Sequence, residues 1–160
     1  SKDKVDPDEM MFHMNNDLYQ TKTAGMFVTS ILGEYNLLTD EIRWVNAGHQ
    51  PAIIRQKSGN YSEFNSSSTP LGVIKHKDKS VYKLEKTKLN DGRFYVFTDG
   101  LSESLNDKGE EIGIEGSIKI IENNFNSDLK KQLRDVTTET INTAQNNSLS
   151  DDLTLVAIGK

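Results

Sequence analysis

Asp99 lies in Thr98-Asp99-Gly100, directly after the apolar run Phe94-Tyr95-Val96-Phe97. A carboxylate at a strand end, beside a glycine that lets the backbone turn, is well placed to hold a hard cation. The same residue also suits a turn in which aspartate bonds its own backbone. Asp151 and Asp152 form a second feature, just before the run Leu153-Thr154-Leu155-Val156-Ala157-Ile158. Adjacent carboxylates repel, so a cation or hydrogen-bond donors would help to hold them; a solvated loop is the plainer reading. In a strand their side chains point to opposite faces, so at most one shares a site with Asp99. Carboxylates brought together by neighbouring strands are what an oxygen-ligated Mg²⁺ or Mn²⁺ needs. Such metals serve phosphoryl hydrolysis by activating water and neutralising charge on the phosphate. A third feature is Asn46-Ala47-Gly48-His49, where His49 is a general acid, a ligand, or a hydrogen-bonded residue of a structural turn. His13 and His76 have no partners at metal-ligand spacing.

Several chemistries are excluded. The chain has no cysteine, which removes disulfides, thiolate metal sites and cysteine nucleophiles; this fits a reducing compartment, the cytoplasm. No phosphate-cradling glycine motif of the nucleotide-binding kind is present, against a kinase or NTPase. Nineteen Lys and Arg against 24 Asp and Glu give a net charge of −5. That leaves no positive field to meet a nucleic-acid backbone. Apolar runs of four or five residues are too short for a membrane contact by spanning, and the polar N-terminus is not a signal peptide. The 160 residues suit one domain of common size, although 34% apolar content implies a modest core.

The elements that must position these residues read as helix, many strands, two helices and a last strand. Asp6, Pro7 and Glu9 read as a capping box opening a helix, with Met10, Met11, Met14, Leu18 and Tyr19 as its core stripe. Strands are expected at Met26–Leu32, Ile42–Val45, Ala52–Ile54, Tyr61–Phe64, Val81–Leu84 and Phe94–Phe97, with a hairpin turn at Lys57-Ser58-Gly59-Asn60 and a polar loop over Asn65–Pro70. One helix carries Ile114, Ile118, Ile121 and Phe125. A second, capped by Ser127, carries Leu129, Leu133, Val136, Ile141 and Ala144. Leu153–Ile158 closes the chain as a buried strand. The class is α+β with mostly antiparallel sheets.

Met26-Phe27-Val28-Thr29, Asn46-Ala47-Gly48-His49 with Pro51, Pro70-Leu71-Gly72, Thr98-Asp99-Gly100-Leu101 with Glu103, Gly113, and Asp151-Asp152-Leu153-Thr154 occur in an order that resembles the metal-dependent serine/threonine phosphatases of the PPM type, in their SpoIIE/RsbU branch. The resemblance runs from about Pro7 to the C-terminus. It implies a β-sandwich flanked by helices (αββα), and hydrolysis of phosphoserine or phosphothreonine in a protein partner, such as an anti-sigma-factor antagonist, with two Mn²⁺ or Mg²⁺ ions. By motif, Asp99 and Asp151 match metal ligands, Asp152 stands behind them, and Asn46–His49 is architectural. The family's N-terminal block, with its metal-bridging aspartate, has no counterpart; Asp3, Asp6 and Asp8 follow no buried strand. The expectation is a single domain over residues 1–160 that is a partial αββα sandwich, truncated at its N-terminus and inactive by itself, with a degenerate, non-catalytic binding module as the alternative. A truncated sheet exposes edges and apolar faces, so a homodimer is expected through Leu153–Ile158, Met26–Leu32 or the Met10/Met14/Leu18 face.

Overall fold

The structure is a computed structural model and describes residues 5–23 and 25–159. Ser1–Lys4 (with them Asp3), Ala24 and Lys160 lie outside the described residues. The chain forms two compact units, Ser1–Gly92 and Arg93–Lys160.

In the first unit, helix α1 (Pro7–Thr21) is followed by strands β1 (Ser30–Asn36), β2 (Glu41–Ala47), β3 (Ala52–Arg55), β4 (Tyr61–Phe64) and β5 (Glu85–Lys88). β1, β2 and β5 form an antiparallel sheet in that order, with Ser30 opposite Ala47 and Glu41 opposite Lys88. β3 and β4 form the expected hairpin. β2 is buried on both sides, and its period of two explains how. Val45 and Ala47 join Met11, Leu71 and Tyr82 in one core cluster, and Arg43, in the same phase, reaches Asp6 at the start of α1 at 2.7 Å. On the opposite face, Trp44 meets Phe64 edge-to-face at 5.1 Å.

Asn46-Ala47-Gly48-His49 is a built turn, in keeping with its architectural reading. Asn46 Oδ1 accepts from His49 N, and its Nδ2 donates to the His49 and Gln50 carbonyls. Gly48 has φ +70°, and a Cβ there would lie 2.4 Å from Pro70 Cγ. That contact links two of the sequence's short motifs and requires glycine.

Four expectations in this unit need correction. The strand predicted from Met26 begins at Ser30, because β2 ends at Ala47 and offers no ladder partner earlier. Met26 and Phe27 are 61% and 60% exposed, and Val28 makes a lone bridge to Leu71. The α1 stripe is also different: Met11 and Asn15 are fully buried, while Met10, Met14 and Tyr19 are exposed. The polar Asn15 takes a core place because it accepts from Gly72 N at 2.9 Å and donates to Ile74 O at 3.0 Å. The Asp6 side chain caps nothing, since it turns to Arg43. The strand predicted over Val81–Leu84 is instead a 3-10 turn over Lys79–Val81, capped by Asp78, followed by β5. Backbone pairing with β2, rather than hydrophobicity, makes a strand of the polar Glu85-Lys86-Thr87-Lys88.

The second unit holds strand β6 (Arg93–Phe97), the short helix α2 (Asp99–Ser102), helices α3 (Gly113–Asn123) and α4 (Leu129–Thr143), and strand β7 (Leu155–Gly159). β6 and β7 pair antiparallel, with Phe97 opposite Leu155. The last strand is less buried than its sequence implies, with Val156 exposed. Asp128, not Ser127, caps α4 by accepting from Lys130 N and Lys131 N. The Ser127 carbonyl is committed elsewhere: it accepts from buried Arg93, whose guanidinium also reaches Asn126 O and Gln132 Oε1. Phe125, expected in the core, is exposed with that guanidinium 4.7 Å over its ring.

Candidate metal centre

β6 is buried along most of its length and hands the chain to Thr98 as it reaches the surface. Thr98 knits the end of β6 to the segment before β7. Its backbone N donates to Thr154 O at 3.0 Å, and its hydroxyl accepts from Thr154 N at 2.9 Å and donates to Asp152 O at 3.0 Å. Asp99 comes next, at the first position of α2, with its carbonyl accepting from Glu103 N at 2.7 Å. Leu101, fully buried, anchors that turn from below.

Gly100 is needed for space rather than for a left-handed turn. It sits in helical α2, and a Cβ there would lie 2.5 Å from Asp152 O and 2.9 Å from Asp151 O. Both partners are backbone atoms and cannot swing aside. The glycine beside Asp99 therefore lets the Asp151-Asp152 backbone close against α2. Ser150 adds a further link, its hydroxyl donating to Glu103 O at 3.3 Å.

Asp99, Asp151 and Asp152 are all exposed at this end of the β6–β7 pair. Neither aspartate of the pair lies in β7, so strand alternation does not set their directions. Asp151 Oδ1 accepts from Asp152 N at 2.7 Å, so one oxygen of that carboxylate is already used locally. The N-cap residue of α2 is Thr98, and its side chain makes no capping hydrogen bond. The sequence reading missed Thr98 as the residue joining the two acidic segments. Its signal was available: Thr98 before Asp99 and Thr154 after Asp152 flank the two features symmetrically.

The donors have the right chemistry for Mg²⁺ or Mn²⁺, being hard carboxylate oxygens. Their number falls short. Among the described residues, no group of three or more His, Cys, Asp or Glu side chains is placed to hold a metal ion. The residues present do not fit a two-ion centre.

A sequence profile of the family described as Stage II sporulation protein E (SpoIIE) matches residues 1–160. Phosphoserine phosphatase RsbU of Bacillus subtilis (strain 168) is 25% identical over 158 residues, which cover 96% of this chain and 45% of RsbU. The SiaA-PP2C domain of Pseudomonas aeruginosa superposes with a TM-score of 0.81 at 14% identity, covering 97% of this chain and 61% of that one. The phosphatase domain of the cell fate determinant SpoIIE from Bacillus subtilis, presoaked with Mn, gives 0.68 at 18% identity, covering 99% of this chain and 67% of that one. This chain thus spans less than half the length of RsbU. The structural likenesses show the fold: mixed α and β, with antiparallel sheets and flanking helices, as in PP2C-type domains.

Proposed function

The chain belongs to the family of Stage II sporulation protein E, and on that premise we propose that it is part of a metal-dependent phosphatase domain acting on phosphoserine or phosphothreonine in a partner protein. The observation that carries this reading is the closure of the Asp151-Asp152 backbone on Gly100, beside Asp99. Asp99 and Asp151 are the proposed ligands of Mn²⁺ or Mg²⁺, with Asp152 behind them. Bound ions of this kind neutralise phosphate charge and activate water. Thr98 and Gly100 hold the two acidic segments together and so set the spacing of the ligands. The partner we propose is a phosphorylated regulator of a sigma-factor pathway in the bacterial cytoplasm, an anti-sigma-factor antagonist; the relative RsbU, named a phosphoserine phosphatase, supports phosphoserine as the group removed. Because two carboxylates fall short of a two-ion centre, we propose that the 160-residue chain by itself turns over little substrate.

That same shortage favours a second reading, a phosphatase-like module that binds a partner without hydrolysis. Two measurements on the purified chain separate them. Mn²⁺ binding followed by electron paramagnetic resonance should be weak, and weaker still in Asp99→Asn and Asp151→Asn. Phosphoserine-peptide hydrolysis should be near background. Robust turnover abolished by Asp99→Asn would overturn the proposed inactivity and uphold the phosphatase assignment. Mn²⁺ binding unchanged by both substitutions would overturn the metal ligands and leave the binding module.

A further inference from the structure

A groove of about 450 Å³ lies within the first unit, between the β3–β4 hairpin and the end of β5. Its floor is apolar, formed by buried Ile54 and Leu89 together with Phe64. Its lining also includes the polar residues Gln56, Ser62 and Asn90 and the two lysines Lys57 and Lys88. No carboxylate lines it, in a chain whose acids outnumber its bases by five (24 − 19). Lys57 pairs with Asp91 at 3.0 Å. Lys88 forms no ion pair among the described residues, although Glu41 is its register partner on β2. The groove therefore gathers hydrogen-bond donors and one uncompensated cation over an apolar base.

The walls are held in place before any ligand arrives. On one side, the β3–β4 turn is closed by Gln56 N donating to Asn60 O at 2.8 Å and Gly59 N to Gln56 O at 2.9 Å. On the other, Gly92 N donates to Leu89 O at 2.7 Å, closing a turn whose central residues Asn90 and Asp91 both have positive φ. Asp40 fixes that second turn: its carboxylate accepts from Asn90 N at 2.8 Å and its carbonyl from Leu89 N at 2.9 Å. The Lys57–Asp91 pair joins the two turns across the groove. A Cβ on Gly92 would fall 2.5 Å from Arg55 O, so the turns can approach this closely only with glycine there.

A preformed groove with an apolar floor and a few converging polar groups is the usual form of a small-molecule site. Donors and a free ammonium select an anion; the floor selects a ligand with an apolar body. We propose that this groove binds a small organic anion, a phosphate monoester or carboxylate carrying a flat apolar group. This site is independent of the phosphatase reading.

The test is an NMR titration of the intact 160-residue chain with phenyl phosphate, benzoate, inorganic phosphate and phenol as separate probes. Saturable amide shifts confined to residues 54–64 and 87–90 are expected from phenyl phosphate or benzoate, and whichever binds more tightly identifies the anionic group. Inorganic phosphate and phenol should each bind at least about tenfold more weakly, since each lacks half of the recognised chemistry. Lys88→Glu, at an exposed position that leaves the core untouched, should weaken binding of the better probe by about tenfold or more. No saturable shift from either organic anion, shifts of equal strength from phenol, or full affinity in Lys88→Glu would each overturn the proposal.

Discussion

Gly100 and Tyr35 show how single side chains, or the lack of one, set local geometry. Gly100→Ala would place a methyl group against the Asp151 and Asp152 carbonyls. Overpacking against backbone costs about 1–3 kcal/mol, so urea unfolding should show that loss, and amide shifts should move at residues 150–154. Full stability with unchanged shifts would mean that the two segments are not closed as described. Tyr35 donates its hydroxyl to Asp40 Oδ1 at 2.6 Å, and this bond to a carboxylate, with some burial, holds its pKa above the ordinary 10.0. The neutral phenol is thus the form the fold favours. Its contribution is complete below pH 10.0 and is lost as pH rises through the raised value. A stability–pH profile should fall more steeply above pH 10.0 in the natural chain than in Tyr35→Phe, and parallel profiles would contradict this.

Between elements, side-chain amides do work that hydrophobic patterning does not anticipate. Asn15 and Asn16 act as a clamp from α1 onto the segment after Leu71. Asn15 serves Gly72 N and Ile74 O, and Asn16 serves both the N and O of His76. The non-strand segment over residues 72–76 is thereby held on a helix through its backbone groups. Asn15→Ala would leave the buried amide of Gly72 without its acceptor and open a small cavity. An unmade buried bond costs about 1–3 kcal/mol, and the cavity adds to it. The expected result is a loss of about 2–4 kcal/mol in urea unfolding, with faster hydrogen exchange over residues 72–76 than elsewhere in the unit. Gln132 has the matching role in the second unit, receiving both Arg93 and Tyr95 while donating to Ile121 O.

For the whole molecule, the exposed apolar residues matter most. Met26 and Phe27, ahead of β1, and Met10 and Met14 on α1 present apolar surface to solvent. β1 is an edge of its three-stranded sheet among the described residues, and an unpaired edge beside apolar surface is a template for association. We propose that the 160-residue chain forms a two-fold dimer through this region. Sedimentation at high micromolar concentration should give the dimer mass, and Phe27→Asp should return the monomer without loss of stability. A clean monomer in the natural chain would refute the proposal. The sequence alone pointed to two strands, Met26–Leu32 and Leu153–Ile158, and to the Met10/Met14/Leu18 helix face; Met10, Met14, Met26 and Phe27 are exposed in the first unit.

What the amino-acid order determined by itself is local or ordered along the chain. The β3–β4 hairpin, the β6 strand and the three longer helices follow from periodicity and turn chemistry, which act between near neighbours. The ordered motifs were enough to indicate the family, although the contacts they make, Gly48 against Pro70 and Gly100 against the Asp151-Asp152 backbone, join residues far apart along the chain. Tertiary structure decided everything that depends on a partner far along the chain. β1 starts at Ser30 because β2 ends at Ala47, and Glu85–Lys88 is a strand because β2 offers it a ladder. Asn15 is buried where methionines were expected, because it meets backbone groups more than fifty residues away. Asp99 and Asp151 come to one strand end through Thr98 and Thr154, whose hydrogen bonds span a similar separation. Periodicity reports which face of an element can be buried; only long-range pairing decides which partner covers it, and therefore which residues share a site.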